Sequence, residues 1–453
     1  MHTRAARLCR IGILVPALAV LIPPGTAAGD ETLPVWGSVP SRDRGDQSSA
    51  LLGIDVVGAD DVWAVGEYNA EDFQTTRRRT LAQHWDGDRW RLVRTPNPSF
   101  EGIDFANLEG VSGVASDDVW AVGHGNDFAT LRSRTLVEHW DGARWRKVKS
   151  PNPAGPALPN ELHAVLARSA DEVWAVGERG SPARALILQF DGDRWRVVDN
   201  SCGGGLRGIT GIPGTSTLWA VGENTTCFFD GEEWSSVPQP GFPDLEDVSA
   251  TSATDVWAVG FEVSCEPKFC SSRSVIQRWN GSQWGDVDHP IASQLGGVHV
   301  VAADDVWAVG TNNVGTVIQH WDGSDWSEVP SPDPESGGEL AAIDGGGAER
   351  LWASGSFFDD ESFGEQTLIV QAPSATQGQV VGDTHFSGAT VSWFGRVTGS
   401  TSADQFGTYN IPALPAGRYT VIVTDPFGQC DPASATVRVV ANQTTVQDFQ
   451  LDC

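Results

Sequence analysis

The chain has 453 residues and a formal net charge of −29, with 30 lysines and arginines against 59 acidic residues. Such a surface repels phosphate groups, which excludes binding to nucleic acid or to an anionic membrane, because both depend on basic side chains. The length exceeds what one ordinary core supports, so we expect two domains, or a repeat array followed by a further domain.

Residues 1–28 are predicted to be a secretory signal peptide. Three arginines precede the apolar run from Ile11 to Ile22, and Thr26-Ala27-Ala28 provides the small residues of a cleavage site. The run is shorter than the roughly 20 residues that span a bilayer; the alternative is a permanent N-terminal anchor. Cleavage removes three arginines and no acid, so the exported chain is expected to carry a charge of −32 and to stay out of the membrane.

A tryptophan-centred pattern, VWAVG or a close variant, then recurs seven times. The tryptophans of the seven copies are Trp63, Trp120, Trp174, Trp219, Trp257, Trp307 and Trp352. Their spacings of 38 to 57 residues fit the four-strand blade of a propeller better than the two-helix unit of a solenoid.

Each copy predicts four short strands. The first opens with a leucine, the second is the VWAVG strand, and the third ends in an aromatic residue followed by Asp-Gly or Asn-Gly in six copies. These dipeptides favour a tight hairpin because the turn needs positive φ. Another tryptophan opens the fourth strand three residues later. The sequence therefore predicts an all-β fold in which residues 33–373 form a seven-bladed β-propeller.

The seventh copy stops at Pro373 without a fourth strand that carries tryptophan. The missing strand is predicted at the other end of the chain, where Val35 to Pro40 resembles the fourth strands that begin at Trp234 and Trp326. An N-terminal strand in the last blade would close the ring and remove an exposed strand edge that invites aggregation.

Recurrent polar residues are interpreted as structural. His84, His139 and His320 share one repeated position before the third-strand aromatic residue. Paired aspartates before the VWAVG strands could hold Ca²⁺, but their recurrence in a tight turn favours a turn role. No EF-hand, HExxH, GxSxG or P-loop motif occurs, so neither a metal nor a cofactor is predicted.

These repeats resemble the tryptophan-rich bacterial propellers that are grouped with kelch-like and sialidase-type (Asp-box) folds and, more distantly, the photosystem II assembly-factor propellers. The WDGxxW turn stands where an Asp-box turn would stand, although its aspartate and glycine are adjacent. The resemblance implies the fold. It does not extend to sialidase chemistry, which uses a tyrosine nucleophile, because Tyr68 is the single tyrosine of the propeller.

A second pattern follows the propeller. Gly388 to Val391, Phe406 to Ile411 and Leu414 to Val421 alternate apolar and polar residues between glycine and proline turns. In these segments, residues 376–453 resemble the carboxypeptidase regulatory-like domain, a small transthyretin-type β-sandwich. The resemblance implies an accessory or recognition module without catalysis, joined through a linker at residues 373–379.

Six cysteines remain after signal cleavage, an even number that predicts disulfides in an exported chain. Six cysteines allow fifteen pairings. Sequence position favours the pairs Cys202–Cys227, Cys265–Cys270 and Cys430–Cys453. The alternative, a cysteine metal site, is disfavoured because no CxxC occurs and no histidine stands at ligand spacing.

The candidate site is predicted on one face of the ring. We call it the long-loop face, because it carries the loops that join second to third strands and those that join each fourth strand to the next first strand. One of these loops runs from Phe261 to Ser274. Such variable loops usually carry binding residues. On this face the residue after each opening leucine should lie nearest the ring centre. These residues are Leu52, Glu109, His163, Arg207, Glu246, Gly296 and Ala341.

Glu109, His163, Arg207 and Glu246 form a polar arc across four consecutive copies and are the candidate binding residues. The alternative is a solvated channel mouth with an ordinary ion pair.

We hypothesise a secreted, monomeric, non-catalytic binding or scaffold protein that engages an extracellular protein or carbohydrate through the long-loop face. The competing hypotheses are a secreted polysaccharide hydrolase or lyase with its site at the propeller centre and a purely structural envelope component.

Overall fold

A computed structural model describes residues 36–451 with short gaps, so the predicted signal peptide lies outside the described residues. The gaps are residues 45–47, 71–76, 98–104, 128–131, 156, 267–268, 291, 293, 313, 333, 335–336, 346–350, 360–363, 373–376, 395–398, 416 and 440–443. All regular elements of the described residues are strands. Within the same residues, no helix has the length and apolarity that a membrane crossing requires.

The described part of residues 37–371 forms seven four-stranded antiparallel sheets. Their strands in chain order are β1 (Gly37–Ser38), β2 (Ser49–Gly58), β3 (Asp61–Ala70), β4 (Arg77–Trp85), β5 (Trp90–Leu92), β6 (Phe105–Ala115), β7 (Asp118–Asp127), β8 (Arg132–Trp140), β9 (Trp145–Val148), β10 (Asn160–Ser169), β11 (Glu172–Arg179), β12 (Arg184–Phe190), β13 (Trp195–Val197), β14 (Leu206–Gly211), β15 (Leu218–Gly222), β16 (Thr225–Phe229), β17 (Trp234–Val237), β18 (Asp244–Ser252), β19 (Asp255–Glu266), β20 (Phe269–Trp279), β21 (Trp284–Asp286), β22 (Gln294–Ala302), β23 (Asp305–Thr311), β24 (Thr316–Trp321), β25 (Trp326–Val329), β26 (Gly338–Gly345), β27 (Leu351–Asp359) and β28 (Gly364–Gln371).

Sheets 1 to 6 each take four consecutive strands, from β2–β5 to β22–β25, and sheet 7 has the order β1-β28-β27-β26. The predicted four-strand unit is therefore present, and the molecule has a β-propeller-like fold. In sheet 7, Gly37 pairs with Gln371 and Ser38 with Val370. A Cβ on Gly37 would overlap the ring of Pro412, so a glycine is needed where the C-terminal region meets this strand.

Tryptophan pairs join each sheet to the next. The indole of a second strand meets the fourth-strand indole of the following sheet edge to face, with ring centroids 5.2 to 5.9 Å apart. This geometry favours aromatic contacts through the ring quadrupole. The pairs are Trp63–Trp145, Trp120–Trp195, Trp174–Trp234, Trp219–Trp284, Trp257–Trp326, Trp307–Trp36 and Trp352–Trp90.

The recurrent histidines and aspartates contact one another within a sheet. Asp118 Oδ1 accepts from Trp120 Nε1 at 3.0 Å and lies 2.7 Å from His139 Nε2. The His139 ring stacks on the Trp120 indole at 4.2 Å. Asp61 with His84 and Asp305 with His320 make the same contact. These side chains hold the second and third strands of a sheet together.

Residues 377–451 form two further sheets. Their strands are β29 (Gln377–Asp383), β30 (Thr390–Phe394), β31 (Gly399–Ser402), β32 (Thr408–Pro415), β33 (Gly417–Thr424), β34 (Ala433–Val439) and β35 (Thr444–Val446). The orders are β31-β30-β33-β34 and β32-β29-β35. Inward-facing side chains of both sheets, including Val380, Ile411, Val421 and Val437, share one buried core.

Two of the predicted disulfides are present, Cys202–Cys227 and Cys265–Cys270. Cys430 is also disulfide-bonded, and its predicted partner Cys453 lies outside the described residues.

One predicted loop is wrong. Residues 261–274 continue β19 and β20 as a hairpin arm, in the register Phe261↔Ser274 to Glu266↔Phe269. The loop prediction overlooked the alternation of apolar and polar residues from Phe261 to Glu266, a strand pattern that the backbone pairing and the Cys265–Cys270 link complete.

Candidate functional site

A β-bulge follows the opening leucine of every first strand. In sheet 2, Leu108 pairs with Gly123 and Gly110 with Val122, which leaves Glu109 without a partner on β7. An extra, unpaired residue re-aims its side chain relative to the sheet. The seven bulge residues are Leu52, Glu109, His163, Arg207, Glu246, Gly296 and Ala341.

The glycine of the VWAVG motif permits this bulge. A Cβ at Gly123 would collide with the main-chain carbonyl oxygen of Asn107, and the same holds at Gly66 and Gly177 against Ala50 and Glu161. The recurrent glycine therefore lets the first strand approach the second closely at the position where the bulge begins.

All seven bulge residues line a single cavity of about 710 Å³. The structure thus brings together the four predicted site residues, Glu109, His163, Arg207 and Glu246, at the inner ends of four consecutive sheets. In a regular strand, consecutive side chains point to opposite faces of the sheet. Strand alternation without the bulge would therefore not have predicted this shared position.

Three of the four side chains form a connected chain of polar contacts. Arg207 Nη1 lies 3.1 Å from His163 Nε2, and a guanidinium can only donate. The ring proton of His163 is therefore assigned to Nδ1, which donates to Glu109 Oε2 at 2.5 Å. Arg207 Nη2 also donates to Glu223 Oε1 at 3.0 Å.

Glu109 is held by a second group of donors that the sequence interpretation missed. Asn107 Nδ2 donates to Glu109 Oε1 at 2.8 Å, and His124 Nδ1 lies 3.1 Å from the same oxygen. Burial raises the pKa of the Glu109 carboxyl, but the electrostatic attraction and hydrogen bonds of His163 and His124 outweigh burial and hold that pKa well below its usual range. Glu109 is thus an ionised, oriented carboxylate.

The missed residues share a sequence signal. His124, Glu178 and Glu223 each follow directly after the glycine of a VWAVG strand, at the end that faces the cavity mouth. Glu67 occupies the same position in sheet 1. The residue after this motif could therefore have been predicted as part of the site, alongside the residue after the opening leucine.

The cavity carries a surplus of negative charge. Among the described residues that line it, the one guanidinium is Arg207, with His163 and His299 as further basic groups. The carboxyl groups of the lining are Asp55, Glu109, Glu246, Asp247, Glu339 and Asp344.

Burial raises the pKa of several of these acids. Burial is the main cause at Glu246 and Glu339, and it raises the pKa of Asp247 to about 7. A cationic group at the cavity mouth would stabilise the ionised form of these buried acids, so the arrangement favours such a group.

A deeper belt of side chains ties neighbouring sheets together. Asp344 Oδ2 accepts from the Val56 backbone N–H at 2.7 Å, across the boundary between sheets 7 and 1. Asp55 accepts from Gly113 at 3.1 Å between sheets 1 and 2. Ser249 accepts from Val300 at 3.1 Å between sheets 5 and 6. These bonds fix the sheets around the cavity and make it a rigid site.

Glu161, His163 and Glu178 are the described residues that could hold a metal ion, with ligand atoms within 4.8 Å of one another. Arg207 lies 3.1 Å from His163 Nε2 and 3.6 Å from Glu178 Oε2, so its guanidinium already occupies that position. With this guanidinium among the three ligand residues, the group is a poor fit for a metal ion, and the absence of a metal stays an expectation.

Exposed apolar side chains concentrate on the long-loop face. Five large hydrophobic residues there are 40 to 80 % exposed, namely Leu158, Phe242, Val263, Val314 and Phe358. The other exposed ones in the described part of sheets 1 to 7, Leu92, Val114 and Val197, are 37 to 39 % exposed. Apolar surface that is rimmed by polar groups is typical of interaction sites.

Comparisons with known proteins concern the fold alone. No family model and no curated protein matches the chain. A solved structure described as YCF48 bound to D1 peptide covers 77 % of this chain and 99 % of its own, with 13 % identity and a TM-score of 0.48. A protein of unknown function from Dyadobacter fermentans covers 75 % and 98 %, with 10 % identity and a TM-score of 0.44. U3-55K covers 75 % and 99 %, with 7 % identity and a TM-score of 0.48.

Proposed function

We propose that the chain is a secreted, monomeric, non-catalytic binding protein built on a closed propeller of seven blades. The cyclic set of tryptophan pairs and the pairing of β1 with β28 support closure. Contacts between each first strand and the next, including β26 with β2, support it as well. The kelch-like or Asp-box type of the blades and the carboxypeptidase regulatory-like nature of residues 376–453 belong to the same proposal. The two described disulfide pairs support export.

The ligand we propose is a protein segment that places a lysine or arginine side chain in the central cavity. The observation that carries this proposal is the surplus of buried carboxyl groups around the single guanidinium of Arg207. Glu246 of sheet 5 and Glu339 of sheet 7 both line the cavity and have pKa values raised by burial, so an incoming cation gains from both. The exposed apolar residues of the long-loop face supply contact area around this point.

An array of lysine-containing and arginine-containing peptides, probed with the full-length protein, tests this function. Glu246→Gln combined with Glu339→Gln should weaken binding at least tenfold, because a cation in a desolvated site loses its charge partners. The matched control is Glu232→Gln, which changes an exposed acid in a turn on the opposite face. Equal affinity of all three proteins would contradict the proposal, and so would exclusive binding to an oligosaccharide array.

A second candidate function, polysaccharide hydrolysis or cleavage by a lyase reaction, rests on Glu109 and Glu246. Both lie on bulges that face the same cavity, and their environments shift their pKa values in opposite directions, downward for Glu109 and upward for Glu246. Such a pair is the pattern of a base and an acid. Release of reducing ends from a polysaccharide panel, abolished by Glu109→Gln and by Glu246→Gln, is the expected result. No release by the unaltered protein would exclude this candidate.

A further inference from the structure

Three loops meet at the end of residues 377–451 that lies opposite Gln377; we call residues 384–389, 403–407 and 425–430 the distal tip. β29 ends at Asp383, which pairs with Thr408 at the start of β32. Thr390 pairs on one side with Ser402 and on the other with Thr424. Neighbouring strands lie about 4.8 Å apart, so the turns after β31 and β33 leave their sheet about 10 Å apart.

These two turns have the same construction, Asp404-Gln405-Phe406-Gly407 and Asp425-Pro426-Phe427-Gly428. Asp404 Oδ1 accepts from the Phe406 N–H at 2.8 Å, and Asp425 Oδ1 accepts from the Phe427 N–H at 2.9 Å. Gly407 and Gly428 have φ of +87° and +65°, the region that glycine favours. Each turn therefore fixes the backbone of its phenylalanine before any partner arrives.

Both phenylalanine side chains are exposed to solvent. Phe406 is 76 % exposed and Phe427 is 81 % exposed. Burial of such a ring against a partner is favourable, and the chain by itself leaves both rings in water. Single exposed apolar residues are ordinary, but two on matched rigid turns form a preorganised apolar patch.

The patch is acidic. Asp404 and Asp425 lie in the two turns, and Asp383 and Asp431 directly flank the tip in sequence. The described loops of the tip contain no lysine or arginine, and His385 lies 3.3 Å from Asp383 Oδ1. Hydrogen bonds from Thr408 to Asp404 and from the Phe427 backbone to Asp425 lower the pKa of these two carboxyls, so both are ionised at neutral pH. Aromatic faces flanked by carboxylates attract lysine and arginine side chains through cation–π and ionic contacts.

We propose that the distal tip is a docking site for a partner protein segment in which lysine or arginine stands beside an apolar residue. Charge complementarity selects this occupant, since a second copy of a chain with a net charge of −29 or an anionic lipid surface would be repelled. A glycan fits less well, because its hydroxyl groups need hydrogen-bond acceptors and the oxygens of Asp404 and Asp425 already accept from backbone and threonine donors, whereas a cation is attracted by their negative charge. This surface is separate from the central cavity.

The test uses the full-length protein and a peptide of alternating arginine and leucine that ends in a photoreactive benzophenone side chain. Photocrosslinking followed by mass spectrometry should place crosslinks in residues 403–408 and 425–430. The double variant Phe406→Ser/Phe427→Ser should lose at least nine-tenths of them. Phe394→Ser, which alters an exposed phenylalanine at the other end of the same domain, should retain them. A peptide of alternating glutamate and leucine should give none.

A second variant, Phe406→Leu/Phe427→Leu, separates ring recognition from general apolarity. Leucine keeps the apolar patch but removes the π face, so most crosslinks should again disappear. Crosslinks that persist in the serine variant, that map only to the central cavity, or that form equally with the glutamate peptide would overturn the proposal. Loss of binding to phosphatidylcholine vesicles in the serine variant, with peptide crosslinks unchanged, would overturn it in favour of a membrane contact.

Discussion

Replacing Trp36 with alanine is expected to lower the free energy of unfolding by about 3–5 kcal/mol, the usual effect of removing a large buried aromatic side chain. Trp36 is 2 % exposed, and its ring centroid lies 5.6 Å from that of Trp307 in sheet 6. It precedes β1, which has two residues paired with β28. Loss of this anchor should therefore release the strand as well as leave a cavity. Urea unfolding monitored by tryptophan fluorescence measures the effect.

Trp326→Ala is the matched control, because Trp326 opens the fourth strand of sheet 6 and meets Trp257 as Trp36 meets Trp307. The control should lose a similar free energy. Only Trp36→Ala should increase hydrogen exchange at the β28 amides and promote self-association through the exposed strand edge. Unchanged unfolding and unchanged exchange in β28 would contradict a shared seventh blade.

The sequence was most informative where one physical requirement repeats. The tryptophan of each second strand must contact the fourth-strand tryptophan of the next sheet, so the spacing of these residues predicted the four-stranded unit and its strand order. The glycine after WAV must admit a carbonyl oxygen, so the bulge position recurs with it. Because Glu109, His163, Arg207 and Glu246 occupy that position, the sequence could place them at one cavity.

Contacts between residues that are distant in sequence could not be predicted in the same way. The belt bonds of Asp344 to Val56 and of Asp55 to Gly113 join residues 288 and 58 positions apart and need the register of two sheets. The hairpin arm at 261–274 alternates apolar and polar residues only in its first half, Phe261 to Glu266; its serine-rich second half has no such pattern, so its pairing could not be inferred from periodicity. The position of His124 after the VWAVG glycine is readable from the sequence, but its contact with Glu109 depends on the pairing of two strands.

Glu138→Gln is expected to stabilise the protein at neutral pH, by about 1.4 kcal/mol for each unit by which folding raises the pKa of this carboxyl. Glu138 is fully buried, and neither of its carboxylate oxygens has a hydrogen-bond partner. Burial raises its pKa well above the usual range, and the neighbouring charge of Lys147 only partly opposes this. An uncompensated buried carboxylate is among the most unfavourable groups a fold can contain.

The position equivalent to Glu138 in other sheets shows which side chains it accommodates. Glu138 pairs with Ala121 of its VWAVG strand, and the residues in the same register of sheets 5 and 6 are Gln277 and Gln319. Their Nε2 groups donate to the carbonyl oxygens of Pro240 at 2.9 Å and Pro290 at 2.8 Å. Glutamine at position 138 therefore keeps the shape, removes the charge and supplies the donor that this position uses in sheets 5 and 6.

The sign of the pH dependence follows from the raised pKa. The unfolded carboxyl loses its proton near pH 4.5 and the folded one at a higher pH, so the native protein loses stability as pH rises between those values. The amide does not titrate. The advantage of Glu138→Gln should therefore be small at pH 4 and grow towards pH 8 in urea unfolding.

The control is Glu328→Gln, because Glu328 is an exposed acid that pairs with Gln319. This substitution should change stability by less than about 0.5 kcal/mol at every pH. An advantage of Glu138→Gln that did not increase with pH would mean that the buried carboxyl is ionised and paired in solution.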